Sequence, residues 1–337
     1  LDFESQPDDV DSKIGTAGYA SINPGSGFSP NLNIEHARQR WLFRMLHSKR
    51  PLQEKMALFW HNHFATAYSK INGVFGGLDA TRMLAAKKTE NPGGIPGQLE
   101  LFREYALGNF RDLLVAVAQD PAMLVWLDGR TNVRRLPQEN FARELMELFT
   151  MGVGTFAETD VYAGARVFTG WNLTRVGGAG SGGYYRFNYA ANQHDTGAKD
   201  FTFPIYASGD RRIPARSEAQ GMQDGIDLIN AVARHPATGP RLARKLYQYF
   251  ISELGEPDGA FVQELSRIYY DSNFEMKPVI RRLLNSSQFT AIGNHYSRYS
   301  WPVEFVVRSL KEVGRVGFSV DSAITPLVNM GQQLFEP

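Results

Sequence analysis

The chain has no cysteine in its 337 residues, which excludes disulfides, thiolate metal sites and cysteine nucleophiles. That absence is compatible with an oxidising compartment. An excess of either charge is also missing: 36 Lys plus Arg stand against 35 Asp plus Glu, a formal net charge of +1. Nothing in that balance draws the chain to nucleic acid or to an anionic membrane. No apolar run is long enough to span a bilayer, so no transmembrane segment is expected. No GxSxG elbow, Walker A loop, HExxH helix or GxGxxG fingerprint occurs in a suitable context. An initiating methionine and a signal peptide are missing too, and LDFESQPDDVDSK reads as the inside of a longer product.

What is present is a globular composition, 43% hydrophobic and 21% charged, with enough length for a substantial core. Residues 1–32 are rich in Gly, Ser, Pro and Asp and read as an irregular, partly covering segment. From Asn33 the pattern turns helical: Ile34, Ala37, Trp41 and Met45 recur at spacings of three and four. Pro51 suits the first turn of a second helix. The texture changes over residues 172–206, where glycines precede aromatics at alternate positions (Tyr185, Phe187, Tyr189), as in a small hairpin or elaborated loop. Helical periodicity then resumes and runs to the end without a fixed-period repeat. The fold class is mainly α: one compact multi-helix domain over 33–337 with a small β-hairpin or loop insertion at 172–206.

Seven histidines occur, and two of them stand together in FWHNHFAT. On a helix His61 and His63 point about 200° apart, so they could share one metal only where the backbone leaves the helix. Three readings stay open: a metal pair, a catalytic or substrate-binding histidine, or a structural pair with one packed and the other exposed. In LPQENFARELMELFTMGVG, Pro137 suits a helix start and Gly152 and Gly154 a stop. At about 100° per residue, Glu139, Asn140, Arg143, Glu144 and Glu147 fall in an arc of roughly 140°. An ordinary surface helix has that pattern; so does a helix lining a cleft. His194, Asp195 and Lys199 lie in QHDTGAK, read as a loop, where side chains need not fill a core. An Asp-centred turn accounts for the same string. RHPATGPRLARK places Arg234, Arg241, Arg244 and Lys245 around a helix start, either a solvated face or an anion contact. Trp171 and the aromatic strand could stack on a sugar or fill the buried side of a strand.

FWHNHFAT, ENFARELMELFTMGVGTF and DVYAGARVFTGW, in that order, resemble the hallmarks of the bacterial family catalogued as domain of unknown function 1800. The similarity runs on through QHDTGAK, RHPATGPRLARKLYQYFI, WPVEFVVRSL and MGQQLF, roughly residues 33 to 335. Against that family the chain is truncated at both ends. The RxGFG-like element before it and the Gly-Trp element after MGQ-LF are missing, and HPATG stands where HPATA is usual. The resemblance implies an exported, periplasmic or extracellular protein, with a secreted sulfatase-like protein as partner, and no established reaction. It also directs the Glu-rich helix inward, onto a pocket. The expected activity is hydrolase-like, with His61, His63, Glu139, Arg143, Glu144, His194 and Asp195 as the catalytic set. Trp171, Lys199 and Glu147 would bind substrate. A divalent metal, with His61, His63, His194 and Asp195 as its candidate ligands, or a carboxylate pair would activate water. The alternative is a non-catalytic binding or assembly protein working with that partner.

Overall fold

The computed structural model describes residues 5–22, 27–178, 180–314 and 316–337. Parts of the expected N-terminal segment (1–4 and 23–26) and one residue of the insertion, Ala179, therefore lie outside the described residues. Among the described residues, sixteen α-helices and two small two-stranded sheets form, a mainly α fold. Contacts group the chain into two compact units. The first comprises residues 1–106, 176–184 and 299–337, and the second residues 107–175 and 185–298.

In the first unit, the helix Ile34–His47 starts where the periodicity places it. Its cap is Asn33, whose side chain accepts from the N–H of Glu35 at 2.9 Å and of His36 at 3.3 Å. The helix buries Trp41, Leu42 and Phe43 completely, and with them Arg38, Arg40 and Arg44. Three buried guanidiniums on one helix demand three sets of acceptors nearby. The next helix, Pro51–His63, opens on its proline and is buried over most of its circumference, from Gln53 and Glu54 through Trp60 to His63, with Pro51, Lys55 and Asn62 along its one open edge. Trp41, Trp60, Phe64, Phe102 and Phe335 fill the space around it. The indole N–H of Trp60 donates to the carbonyl of Ala106 at 3.3 Å.

In the second unit, side-chain caps mark the helices Phe110–Ala118 (Asn109), Pro121–Trp126 (Asp120) and Gly259–Asp271 (Asp258). The helix expected from Pro137 begins later, at Asn140, and stays α only to Glu144. Leu145–Phe149 continues as a π turn, closed by the Thr150 hydroxyl on the carbonyl of Leu145 at 2.6 Å. The wider turn breaks the 100° arithmetic from Leu145 on.

The β structure consists of Trp171–Val176 beside Tyr184–Tyr189, and of Lys199–Asp200 antiparallel to Arg212–Ile213. The insertion thus runs past 206, because Phe201 and Ile205 donate to the carbonyls of Arg211 and Asp210 and fold the strand back. This segment lies on the helix Met222–Arg234, and two glycines permit the approach. A Cβ at Gly225 would fall 2.2 Å from the Trp171 ring, and one at Gly221 2.1 Å from the His194 ring.

Candidate functional site

His61 and His63 sit on a continuous helix and are both buried, at 4% and 7% exposure. The structural reading in which one packs and the other faces solvent does not hold, because the open edge of this helix is taken by Asn62 and both histidines point away from it. His61 Nε2 accepts the backbone N–H of Phe335 at 3.1 Å, so the proton of its neutral ring belongs on Nδ1, which faces Asn62 Oδ1 at 3.5 Å. Burial, against a small opposing pull from Asn62, pushes this imidazole down to about 4. It is therefore a neutral acceptor that ties the QQLF segment to the core, flanked by the rings of Trp41 and Phe335. His63 packs among Phe59, Trp60 and Phe64.

The Glu-rich segment is half-exposed. Arg143 forks onto Glu158 of the next helix at 2.9 and 2.7 Å and reaches back to Glu139 at 3.3 Å. The bonds to Glu158 raise the guanidinium further above its ordinary value. Burial, then the neighbouring negative charge of Glu147, pushes Glu144 up. Among the described residues, no hydrogen bond or ion pair joins Glu139, Glu144 or Glu147 to His194 or Asp195.

QHDTGAK supplies the densest polar arrangement of the second unit. His194 and Lys199 have no exposed surface, and neither has Asp224, the carboxylate they share. His194 Nε2 meets Asp224 Oδ2 at 3.2 Å and Lys199 Nζ donates to the same oxygen at 2.6 Å, while Arg216 holds Oδ1. The other ring nitrogen of His194 donates to the carbonyl of Thr169 at 2.9 Å. Lys199 also donates to the carbonyl of Asp195, whose carboxylate takes the Arg166 fork at 2.8 and 2.9 Å. Burial opposes ionisation of Asp224 and Asp195. It is outweighed by His194, Lys199 and Arg216 at the first and by Arg166 at the second, so both carboxyls stay below their usual range. The structure thus brings three of the expected residues together around a fourth, Asp224, that the sequence does not single out. The available signal is the spacing GMQDG, two small residues one turn apart with an acid between them. Trp171 is 1% exposed, enclosed by Phe168, Phe187 and Gly225, and shows no free ring face.

A second cluster, in the first unit, contains none of the expected residues. Glu54 is buried between Arg44 and Arg103, and its Oε1 accepts from the Nε of each at 3.1 Å. Arg103 also holds Glu100 at 3.1 and 3.2 Å and Asp8 at 3.0 Å. Arg44 also holds Asp8 and, at 2.8 Å, Asp11. Burial pushes Glu54 up to about 7 against the pull of Arg44, and pushes Glu100 up against the same guanidinium. Among the described residues, Glu54 Oε2 and Gln53 Oε1 are buried without a hydrogen-bond partner. Beside the cluster opens a cavity of about 340 Å³ whose lining includes Asp8, Gln53, Lys87, Glu100, Arg103 and Glu104. Its signal in the sequence is ARQRWLFRML, arginines set among large apolar residues where no solvent-facing stripe exists.

Among the described residues no group of three or more His, Asp or Glu side chains is placed to hold a metal ion. His61, His63, His194 and Asp195, the expected ligands, form no such group. Among the same residues, no helix is long and apolar enough to cross a membrane.

Fold and site together define a mainly helical protein in which each unit encloses a cluster of ion-paired carboxylates and guanidiniums. The chain belongs to the DUF1800 family, described as proteins of unknown function, whose sequence model matches residues 26–337. No curated protein and no solved structure matches it.

Proposed function

We propose that the chain is a hydrolase-like enzyme working by carboxyl acid–base chemistry in the cavity of the first unit. The supporting observation is that one guanidinium, Arg103, holds three carboxyls, two of which (Glu54 and Glu100) burial pushes above the ordinary carboxyl range. Cleaving a bond with water requires a proton for the leaving atom and a base for the attacking water. Glu100, on the cavity wall, gives the first proton. Asp8, on the same wall and held by two guanidiniums, takes the second from water. Glu54 lies behind them and holds Arg103 in place through its Nε. A shortlist of p-nitrophenyl carboxylate, phosphate, sulfate and glycoside substrates tests this. Glu100→Gln should lower turnover about 100-fold or more, the range for a lost general acid, and remove one limb of the pH profile. Equal turnover by the wild type and an Asp8→Asn, Glu100→Gln double variant sinks the proposal.

We keep as a second proposal, resting on the family resemblance, export from the cytoplasm and binding to a secreted sulfatase-like partner. What favours it is the helix Pro302–Val313 of the first unit, which buries only Val303 and Val306. Around it Tyr299, Trp301 and Phe305 stay 67%, 51% and 46% exposed. Trp301→Ser with Phe305→Ser should weaken a complex with the co-encoded sulfatase-like protein about tenfold or more. Unchanged affinity, or no complex at micromolar concentration, removes this reading.

A further inference from the structure

The second unit has a cavity of about 470 Å³ into which, of the residues singled out in the sequence, only Arg234 enters. One wall is the start of the helix Phe110–Ala118, with Asn109, Arg111 and Asp112. Opposite stand Asn230 and Arg234 from the last turns of Met222–Arg234, and Asn273 and Phe274 just past Gly259–Asp271. Among the lining residues two guanidiniums stand against one carboxylate, an excess of one positive charge, and the nearby Glu275 carboxylate is tied to Asn109 Nδ2 at 2.9 Å. Arg111 donates to Asn230 Oδ1 and to Asp112, each at 2.6 Å, and Arg234 to the carbonyl of Ile205 at 2.7 Å. A guanidinium has five N–H groups, so most of the donors remain uncommitted. Among the described residues, the amide nitrogen of Asn230 and the whole side-chain amide of Asn273 also make no hydrogen bond.

The far wall is held in an unusual shape. Asn273 and Phe274 have φ of 54° and 71°, a region that a bulky residue such as phenylalanine rarely adopts. Hydrogen bonds keep them there: Phe274 N–H to the carbonyl of Tyr269 at 2.8 Å, Phe110 N–H to the carbonyl of Phe274 at 2.9 Å, and Asn109 Nδ2 to the carbonyl of Asn273 at 2.7 Å. The result is one half-exposed aromatic ring, backed by Tyr269 at 5.3 Å, beside planar amides and guanidiniums.

We infer that this cavity binds an acidic sugar, a polyhydroxylated ring bearing a carboxylate, phosphate or sulfate group. The excess positive charge takes the acidic group. Amides carry a donor and an acceptor side by side, as adjacent hydroxyls require, and the Phe274 ring faces the C–H side of the sugar. The volume lies within the range of small-molecule sites and exceeds what a bare oxyanion fills. Fixing the wall before binding removes part of the ordering cost.

Calorimetric titration of the full chain with glucuronate, glucose-6-phosphate, glucose and inorganic phosphate, at low and high salt, decides it. At least one acidic sugar should bind about tenfold tighter than glucose or phosphate, and added salt should weaken it. Which of the two wins identifies carboxylate or phosphate as the acidic group. Asn230→Asp keeps the acceptor for Arg111 and adds a negative charge, so it should weaken binding about tenfold with an unchanged melting curve. Arg234→Gln should weaken it about fivefold. Phosphate or glucose binding as tightly as both acidic sugars, no binding by any probe, or full affinity in Asn230→Asp would each overturn the inference.

Discussion

Asp224→Ala should cost about 4 kcal/mol or more of unfolding free energy, the upper part of the range for breaking a buried ion pair. Asp224 is the acceptor on which His194, Lys199 and Arg216 converge, and all but Arg216 are sealed from solvent. Without it the Lys199 ammonium keeps only Asp195, whose carbonyl it bonds and whose carboxylate lies 3.9 Å away and is already taken by Arg166, and an under-compensated buried cation is far costlier than a missing contact. Lys199→Met should cost much less, about 1–2 kcal/mol, because removing the cation leaves Asp224 still held by His194 and Arg216. Urea unfolding of the two variants gives the comparison. A loss below about 1 kcal/mol for Asp224→Ala would mean the network holds nothing together.

Glu54→Ala should cost about 3 kcal/mol, the lower end of the same range, because Asp8, Asp11 and Glu100 still face Arg44 and Arg103. Its pH dependence is more diagnostic. The folded value of Glu54, about 7, lies above the ordinary value of 4.5, so the folded chain binds the extra proton. Stability from this group therefore rises as pH falls from 7 to 4.5. His61 has the opposite sign. Its folded value of about 4 lies below 6.5, so the unfolded chain binds the proton and stability falls as pH drops from 6.5 to 4. Each effect amounts to at most about 3 kcal/mol. The two oppose each other where the windows overlap, between pH 4.5 and 6.5. Glu54→Gln should therefore lose stability on acidification more steeply than the wild type, as measured by denaturant midpoints from pH 7.5 to about 4.5. Parallel curves for the two proteins would remove the proton from Glu54.

Part of the second site is legible in the sequence. His194, Asp195 and Lys199 stand out together there, and they do meet in the fold. Their partners do not, because Asp224 and Arg216 lie some twenty to thirty residues on and are joined to them only by the fold. The loop reading of QHDTGAK also misleads about exposure. A segment can lack helix or strand and still be driven inside when every polar atom finds a partner there. The arc of carboxylates in ENFARELMEL depends on an α-helix throughout, and the π turn at Leu145–Phe149 removes that condition. Arg44, Glu54 and Arg103 escape a sequence reading for a further reason. Charged residues are normally read as solvent-facing, and only the packing shows these three enclosed and mutually paired.

By itself the sequence determined the helical class, the helix start at Asn33, the proline at the start of Pro51–His63 and the place of the β insertion. These follow from local stereochemistry and the period of apolar residues, which neighbouring positions in the chain establish. Only the tertiary structure decided that both histidines of FWHNHFAT are interior and that burial pushes Glu54 up. It alone built a positively charged cavity from Arg111, Asn230, Arg234 and Asn273. Burial, ionisation and cavity shape depend on groups far apart in sequence, and desolvation has no value until the fold says what surrounds each charge.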